Sequence, residues 1–335
     1  MADMPLPAIR LDDLRIDPPL ALAPMAGVTD RPWRVLCREQ GAGLAVAEMI
    51  NSQPQLRHTR KSALRTVSDD EAAPRSMQIL GNDPQDMAET ARYCVDQGAQ
   101  IVDINLGCPA KKVCRRAAGS ALMDDEPLVA RILEAVVQAV PVPVTLKMRT
   151  GTCPERRNAA RIAQLAEAAG IRMLAVHGRT RADLYRGEAE YDTLAEVCAA
   201  VRLPVLANGD IDSVEKARAV LAHTGAAGVM IGRGALGRPW LFRELAAWMR
   251  GEPPPGLPAP PARLSLMQRH LEDMVVHYGE AQAVRVARKH VGWYAAGLGA
   301  TPDWQAHFNC LTDASAQRAA LDDLFATPRH HHEAA

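Results

Sequence analysis

The chain predicts a TIM-type (β/α)8 barrel followed by a small all-helical bundle. Three observations predict it. Short apolar or β-branched runs recur as far as about residue 235, each followed by a segment with helical periodicity, and a proline-rich stretch then leads into purely helical sequence. The runs are ALAPMAG from Ala21, AVAEMI from Ala45, SMQIL from Ser76, IVDINLGC from Ile101, VTLKMR from Val144, MLAVHGR from Met173, VLANGD from Val205 and GVMIGR from Gly228. Near-continuous apolar strands suit a parallel sheet covered on both faces, and eight in succession suit closure into a barrel.

Five connections read clearly as helices: Asp83 to Gly98, Asp125 to Val140, Pro154 to Gly170, Asp212 to Thr224 and Arg238 to Arg250. Several open on Asp or Pro and close near Gly, as capping predicts. Asn51 to Arg75 is polar, basic and without a strong period, so a surface excursion is expected there. GEPPPGLPAPPA, Gly251 to Ala262, reads as a semi-rigid linker. Beyond it Leu264 to Tyr278, Ala281 to Leu298 and Ala314 to Phe325 carry helical spacing. The expected organisation is a catalytic barrel over 1–250, a linker over 251–262, a helical domain over 263–327 and a disordered tail over 328–335. The tail's His330, His331 and His332 read as part of a frayed end rather than a metal site.

Composition limits the function classes. The 335 residues are 48% hydrophobic, which suits a full-sized core, and Lys+Arg equals Asp+Glu at 39 each. Net charge therefore does not point to a polyanionic partner, and any nucleic-acid site must be a local patch. Seven cysteines without regular spacing and the absence of a signal-like opening point to a reducing, cytoplasmic setting. No apolar stretch reaches the ~18–20 residues that cross a bilayer, so no membrane role is expected.

In parallel barrels functional groups collect at the carboxyl ends of the strands. Here those ends carry Gln78, Asp103, Asn105, Cys108, Lys147, Arg149, His177, Arg179, Asn208, Asp210, Gly232 and Arg233. The glycines of ANGDI and MIGRGALGRPW let backbone approach an anion, with Arg233 supplying charge, in the loops where such barrels commonly hold phosphate. Cys108 stands between Gly107 and Pro109 at the mouth. A thiol of ordinary pKa is largely protonated at neutral pH and can serve as general acid or nucleophile. Cys37, Cys94 and Cys198 fall within helical segments and read as inert core thiols. Cys114 and Cys153 fall in loops, and no Cys/His spacing suggests zinc or another metal. Lys147 and Arg149 alternate with Leu146 and Met148, which turns both to one face. An anionic ligand accounts for them; an internal ion pair with Asp103 or Asp210 is the alternative. His177, before Gly178 and Arg179, reads as a ligand contact, with a satisfied core histidine as its alternative.

Taken together, APMAGVTD (Ala23 to Asp30), NLGCPAKKV (Asn105 to Val113), VTLKMRTG (Val144 to Gly151), HGRTR (His177 to Arg181), NGDI (Asn208 to Ile211) and IGRGALGRPW (Ile231 to Trp240) resemble the tRNA-dihydrouridine synthases in order and spacing. GCPAKKV and RKHVGWY (Arg288 to Tyr294) look most like the bacterial B-type branch. The resemblance spans nearly the whole chain. It implies an FMN barrel enzyme that uses NADPH as reductant. Pro24, Met25 and Ala26 would line the flavin ring, with Gln78, Lys147 and His177 at its polar edge. Asn208, Gly209, Asp210, Gly232 and Arg233 would hold its phosphate and ribityl chain. Cys108 would be the catalytic acid, and Asn105 would contact the target uracil, with Arg149 and Arg179 beside the substrate. Hydride to C6 and a proton to C5 would give dihydrouridine.

A uridine of the tRNA D-loop must be splayed into the mouth, which demands grip on the surrounding phosphates. Candidate basic groups are Arg57, Arg60, Lys61 and Arg65; Lys111, Lys112, Arg115 and Arg116; and Arg285, Arg288 and Lys289, which share one helix face beside an apolar stripe of Val284, Ala287 and Val291. A merely solvated face is the alternative, and a monomer is expected. Two rival functions remain: an FMN barrel reductase of a free metabolite, and a non-catalytic RNA-binding or folding factor on the same scaffold.

Overall fold

The computed structural model describes residues 5–57, 59–114 and 117–326. Eight parallel strands close on themselves: β1 (Leu20–Leu22), β2 (Leu44–Val46), β3 (Arg75–Leu80), β4 (Ile101–Leu106), β5 (Val144–Arg149), β6 (Met173–His177), β7 (Val205–Asn208) and β8 (Gly228–Ile231). Closure comes from Leu20 of β1 against Val229 of β8 and from Ala45 of β2 against Arg75 of β3. Each of the eight apolar runs supplies one strand. An antiparallel hairpin, Ile9–Leu11 with Leu14–Ile16, precedes them. Its Ile9, Leu11 and Ile16 join Ala21, Leu44, Val46, Ile101, Met173, Ala175, Leu206 and Met230 in one buried cluster. The hairpin thus plugs the amino-terminal end of the barrel with side chains.

The outer layer holds α1 (Arg31–Glu39), α2 (Pro84–Asp96), α3 (Glu126–Ala139), α4 (Ala159–Ala169), α5 (Asp192–Ala200), α6 (Val214–Thr224) and α7 (Leu241–Met249). Helix α2 shows why these segments start where they do: Asp83 accepts from the Asp86 amide (2.9 Å), and Pro84 occupies the first turn, where a missing N–H costs nothing. Helix α4 departs from expectation. Pro154 does not open it; Pro154 and Glu155 form a tight turn closed by the Arg156 amide on the Cys153 carbonyl (3.0 Å), and the helix begins only at Ala159. The excursion after β2 contains two four-residue helices, Pro54–Arg57 and Arg60–Ala63.

The last four helices are α8 (Pro260–Tyr278), α9 (Glu280–Gly297), α10 (Pro302–Cys310) and α11 (Ala314–Ala326). Pro260, Pro261 and Ala262, read as linker, belong to the first turn of α8. Helix α10 was not expected, although Thr301 caps it by accepting from the Trp304 amide (3.2 Å) and Pro302 follows that cap. Val284, Ala287 and Val291 of α9 are buried, as their stripe predicts. The bundle shares one continuous core with α1 of the barrel through Trp33, Leu36, Met267, Leu271 and Tyr294. The tail histidines, Arg115 and Arg116 lie outside the described residues, as do the side chains of Arg57, Lys61 and Lys112. Among the described residues no helix is long and apolar enough to cross a membrane.

Candidate active site

Alternation along the strands builds the site. Inward-facing positions run from apolar at the plugged end to polar at the other: Ile101, Asp103, Asn105 on β4; Met173, Ala175, His177 on β6; Leu206, Asn208 on β7; Met230 on β8, with Gly232 just after it. The register then sets polar ends side by side: Gln78 by Asp103, Asn105 by Lys147, Arg149 by His177, and His177 by Asn208. They open into a cavity of about 940 Å³. Its lining includes Pro24, Met25, Ala26, Gln78, Asn105, Cys108, Lys147, Arg149, His177, Asn208, Gly209, Asp210, Gly232 and Arg233.

One wall is cationic. Lys147 donates to Asn208 Oδ1 (3.1 Å), and burial, helped by the Arg149 charge, brings its pKa down to about 8. Neither Lys147 nor Arg149 forms an ion pair with Asp103 or Asp210 among the described residues, so the internal ion-pair alternative does not hold. Arg149 donates to the carbonyls of Gly107, Thr180 and Leu184, each at 2.8 Å, and so ties the loop after β4 to the loop after β6. Its donors are largely committed, which makes it a brace of the cavity wall before it is a contact for any ligand.

His177 Nε2 faces Arg179 Nη1 at 3.3 Å. A guanidinium can only donate, so Nε2 accepts and the ring proton sits on Nδ1. Burial, then the charges of Lys147, Arg149, Arg179 and Arg233, push the imidazole pKa down to about 2. His177 is therefore a neutral donor at any physiological pH. The expectation for Arg179 is corrected: it is 2% exposed and does not line the cavity. It grips Asp210 with both terminal nitrogens (2.9 and 2.5 Å) and donates to the Gly187 carbonyl (2.6 Å). Asp210 in turn accepts from the Ala189 amide (2.8 Å) and from Arg233 (3.2 Å). Burial works to raise its pKa, but the bonds and charge of Arg179 hold it below the usual carboxylate range. Gly209 beside it has φ +123°, and a Cβ there would lie 2.8 Å from Ala189 Cβ and 3.1 Å from the His177 ring. Only glycine fits that approach.

The neighbouring end of β4 and the loop after it present amides and a thiol. Asn105 Oδ1 accepts from the amides of Gly107 (3.0 Å) and Cys108 (2.9 Å), and the Cys108 carbonyl accepts from the Ser120 amide (3.1 Å) and hydroxyl (2.9 Å). Gly119, at φ +63°, presses on the same carbonyl, which a Cβ would approach to 2.8 Å. Burial raises the Cys108 pKa, outweighing the backbone hydrogen bond and nearby cations that lower it. Cys108 is a fixed, protonated thiol at the cavity edge.

Sequence reasoning missed Leu184 and Tyr185, which line the cavity from the loop after β6. Tyr185 is 54% exposed, with the guanidinium carbons of Arg233 at 5.0 Å and Arg149 at 5.3 Å from its ring centre. The available signal was an apolar pair inside the otherwise polar RTRADLYRGE.

The profile of the family described as Dihydrouridine synthase (Dus) matches residues 21–328. The chain belongs to the dihydrouridine synthase family. It is 56% identical over 319 residues to the tRNA-dihydrouridine synthase B of Pseudomonas aeruginosa, covering 95% of this chain and 96% of the relative. It is 51% identical to the proteins of that name from Proteus vulgaris and Salmonella typhimurium, covering 95% of this chain in both cases and 98% and 99% of those relatives.

In this dihydrouridine synthase family member the basic face of α9 is divided. Arg285 is exposed. Arg288 donates to the Leu311 carbonyl (3.2 Å), inside the bundle. Lys289 donates to the Gly27 carbonyl, in the cavity's β1–α1 loop, whose Gly27 amide is held from the other side by Glu48 (2.6 Å). Two of the three expected substrate cations thus already have structural partners. Arg65 is likewise turned inward, onto Glu48 (3.1 Å) and the Met49 carbonyl (2.8 Å).

Proposed function

We propose that the protein reduces a uridine of the tRNA D-loop to 5,6-dihydrouridine, with FMN as its cofactor and NADPH as reductant. The observation that carries the reading is one cavity whose lining includes both a protonated thiol and a cationic, glycine-rich end. That end suits FMN. Lys147 is a half-buried cation whose hydrogen-bond partner among the described residues is an amide oxygen, an arrangement that an electron-rich or anionic ligand would complete. Gly232 and Arg233, at the end of β8, suit a phosphate, and the cavity volume falls at the upper end of ordinary cofactor sites, roughly 300–1,000 Å³. The relatives' printed name, tRNA-dihydrouridine synthase B, supports the substrate.

Bound FMN would supply hydride transfer, taking hydride from NADPH and delivering it to C6 of the uracil. The chain's own residues do the rest. Pro24, Met25 and Ala26 would face the ring; Gln78, Lys147 and neutral His177 would bind its polar edge. Asn208, Gly209, Asp210, Gly232 and Arg233 would hold the phosphate and ribityl chain. Asn105, whose Oδ1 is saturated by two backbone amides, has only N–H left to offer and would donate to a uracil carbonyl. Cys108 would protonate C5, for which a thiol kept protonated by burial is suited. The barrel over 1–250 would perform the chemistry and the helices after the proline-rich stretch would grip tRNA, with Arg285 as the freest of the α9 cations. The protein would act in the cytoplasm.

The test is mass spectrometry of tRNA lacking dihydrouridine after incubation with protein, FMN and NADPH. New dihydrouridine at one D-loop position is the expected result. NADPH consumption without it, together with reduction of free uracil or an enone, would sink the tRNA reading in favour of a free-metabolite reductase.

A further inference from the structure

Beneath the thiol runs a chain of buried side-chain hydrogen bonds that reaches Cys108 from a residue outside the cavity. Thr145 Oγ1 donates to Asp103 Oδ1 (2.6 Å), Gln78 Nε2 donates to Asp103 Oδ2 (2.7 Å), and Asn105 Nδ2 donates to Gln78 Oε1 (2.7 Å). Asn105 Oδ1 then receives the amides of Gly107 and Cys108. The direction of this chain is determined at its ends. Backbone N–H groups can only donate, so Asn105 must turn its oxygen to them and its nitrogen to Gln78. Gln78 must then turn its oxygen to Asn105 and its nitrogen to residue 103, which must accept. A carboxylate there meets the demand, and Asp103 is 3% exposed, below the cavity lining.

We propose that Asp103 is a positioning residue for the reacting thiol, its acceptor oxygen holding the amides of Gln78 and Asn105 in the one orientation that anchors the backbone of Gly107 and Cys108. Without an acceptor at 103, the Gln78 amide is left with a buried donor unpaired, which costs more than the bond itself contributed. Rotating Gln78 to relieve it places oxygen against nothing and nitrogen against the Asn105 amide group. The strain therefore passes along the chain to the loop that carries the thiol. The placement of Cys108 is a statement about the protein alone; its consequence for turnover rests on the proton-donor role proposed above.

The experiment compares Asp103→Leu, which removes the acceptor, with Asp103→Asn, which keeps one oxygen for Gln78 and can donate to the Thr145 hydroxyl. Hydrogen exchange is read at the amides of Gly107 and Cys108 in the FMN-loaded protein. Asp103→Leu is expected to lower protection there by about tenfold, with the amides of β6 and β7 unchanged, and Asp103→Asn is expected to restore it. Turnover on tRNA should fall about tenfold or more in Asp103→Leu and recover in Asp103→Asn. Gln78→Leu breaks the chain one link later and should loosen the same two amides, which keeps the test open if Asp103→Leu does not fold. Unchanged protection at Gly107 and Cys108 in either leucine variant overturns the proposal, as does failure of Asp103→Asn to restore it. Lost protection alongside full turnover in Cys108→Ala would instead leave the positioning intact and remove the proton-donor role.

Discussion

The cavity and the barrel–bundle interface both bury histidine, and they do so for opposite ends. His177 in the cavity sits among Lys147, Arg149, Arg179 and Arg233, with a donor to Nε2 and Nδ1–H left to offer. His270 and His290 sit under the bundle against Trp33 and Tyr294, with ring centres 5.0 to 6.3 Å apart. There His270 Nδ1 meets the Tyr294 hydroxyl at 3.2 Å, while neither ring nitrogen of His290 has a hydrogen-bond partner among the described residues. Burial keeps all three neutral. A buried, neutral histidine is therefore no sign of a site by itself. What separates the two regions is whether the neighbours are directed polar groups opening on a cavity or aromatic rings closing on each other.

Variants in the two regions should accordingly fail in different ways. The largest effect is expected from Cys108→Ala, which should lower kcat on tRNA about 10²- to 10⁴-fold while leaving the thermal midpoint and bound flavin nearly unchanged. Trp33→Ala, in the interface, should do the reverse. It is fully buried, and its loss should cost about 3–5 kcal/mol in denaturant unfolding, with little change in flavin affinity. A Cys108→Ala protein that unfolds early, or a Trp33→Ala protein that is stable but inactive, would erase the distinction.

Titration sharpens it. Burial holds His270 down to about pKa 3, whereas an unfolded histidine titrates near 6.5. Between those values the unfolded chain binds more protons, so stability falls as pH drops from 6.5 toward 3. His270→Phe should flatten that limb in unfolding curves. Asp30 at the same interface accepts from the Tyr278 hydroxyl (2.8 Å), and burial raises its pKa to about 6. It acts with opposite sign, giving up stability as pH rises toward 6, so Asp30→Asn should steepen the net acid loss. In the cavity, Lys147 carries charge below about pH 8 and loses it above. Flavin affinity, followed by fluorescence, should weaken as pH rises through that value, and Lys147→Arg should remove the dependence. The smallest effect is expected from Lys289→Met. A severalfold rise in flavin dissociation without tRNA present would show that Lys289 steadies the β1–α1 loop; a change confined to tRNA binding would return it to the substrate.

The barrel was legible because its signals are local. Eight apolar runs mark eight strands, and alternation within VTLKMR and IVDINL predicts which side chains face inward. The mouth residues were legible for the same reason, since a strand end is a position in sequence as well as in space. Helix α4 and Pro260 were misplaced because proline serves a turn and a first helical turn equally well, and neighbours decide between them. The basic face of α9 was half legible: spacing put Arg285, Arg288 and Lys289 together, but nothing in the sequence shows that carbonyls of Leu311 and Gly27 wait beside two of them.

By itself the sequence determined the order of the eight strands and of most of the helices, the inward set of the strands and the thiol after β4. Those follow from periodicity and from glycine and proline, which act within a few residues. Tertiary structure alone decided which polar groups are committed and which are free. Arg179 looked like a ligand contact until Asp210, thirty-one residues further on, took its guanidinium, and Asp103, an alternative ion-pair partner for Lys147 in the sequence, instead has its two oxygens on Thr145 and Gln78. A hydrogen-bond valence is filled by whatever the closed barrel brings within 3 Å, and that is a property of register and closure rather than of any segment.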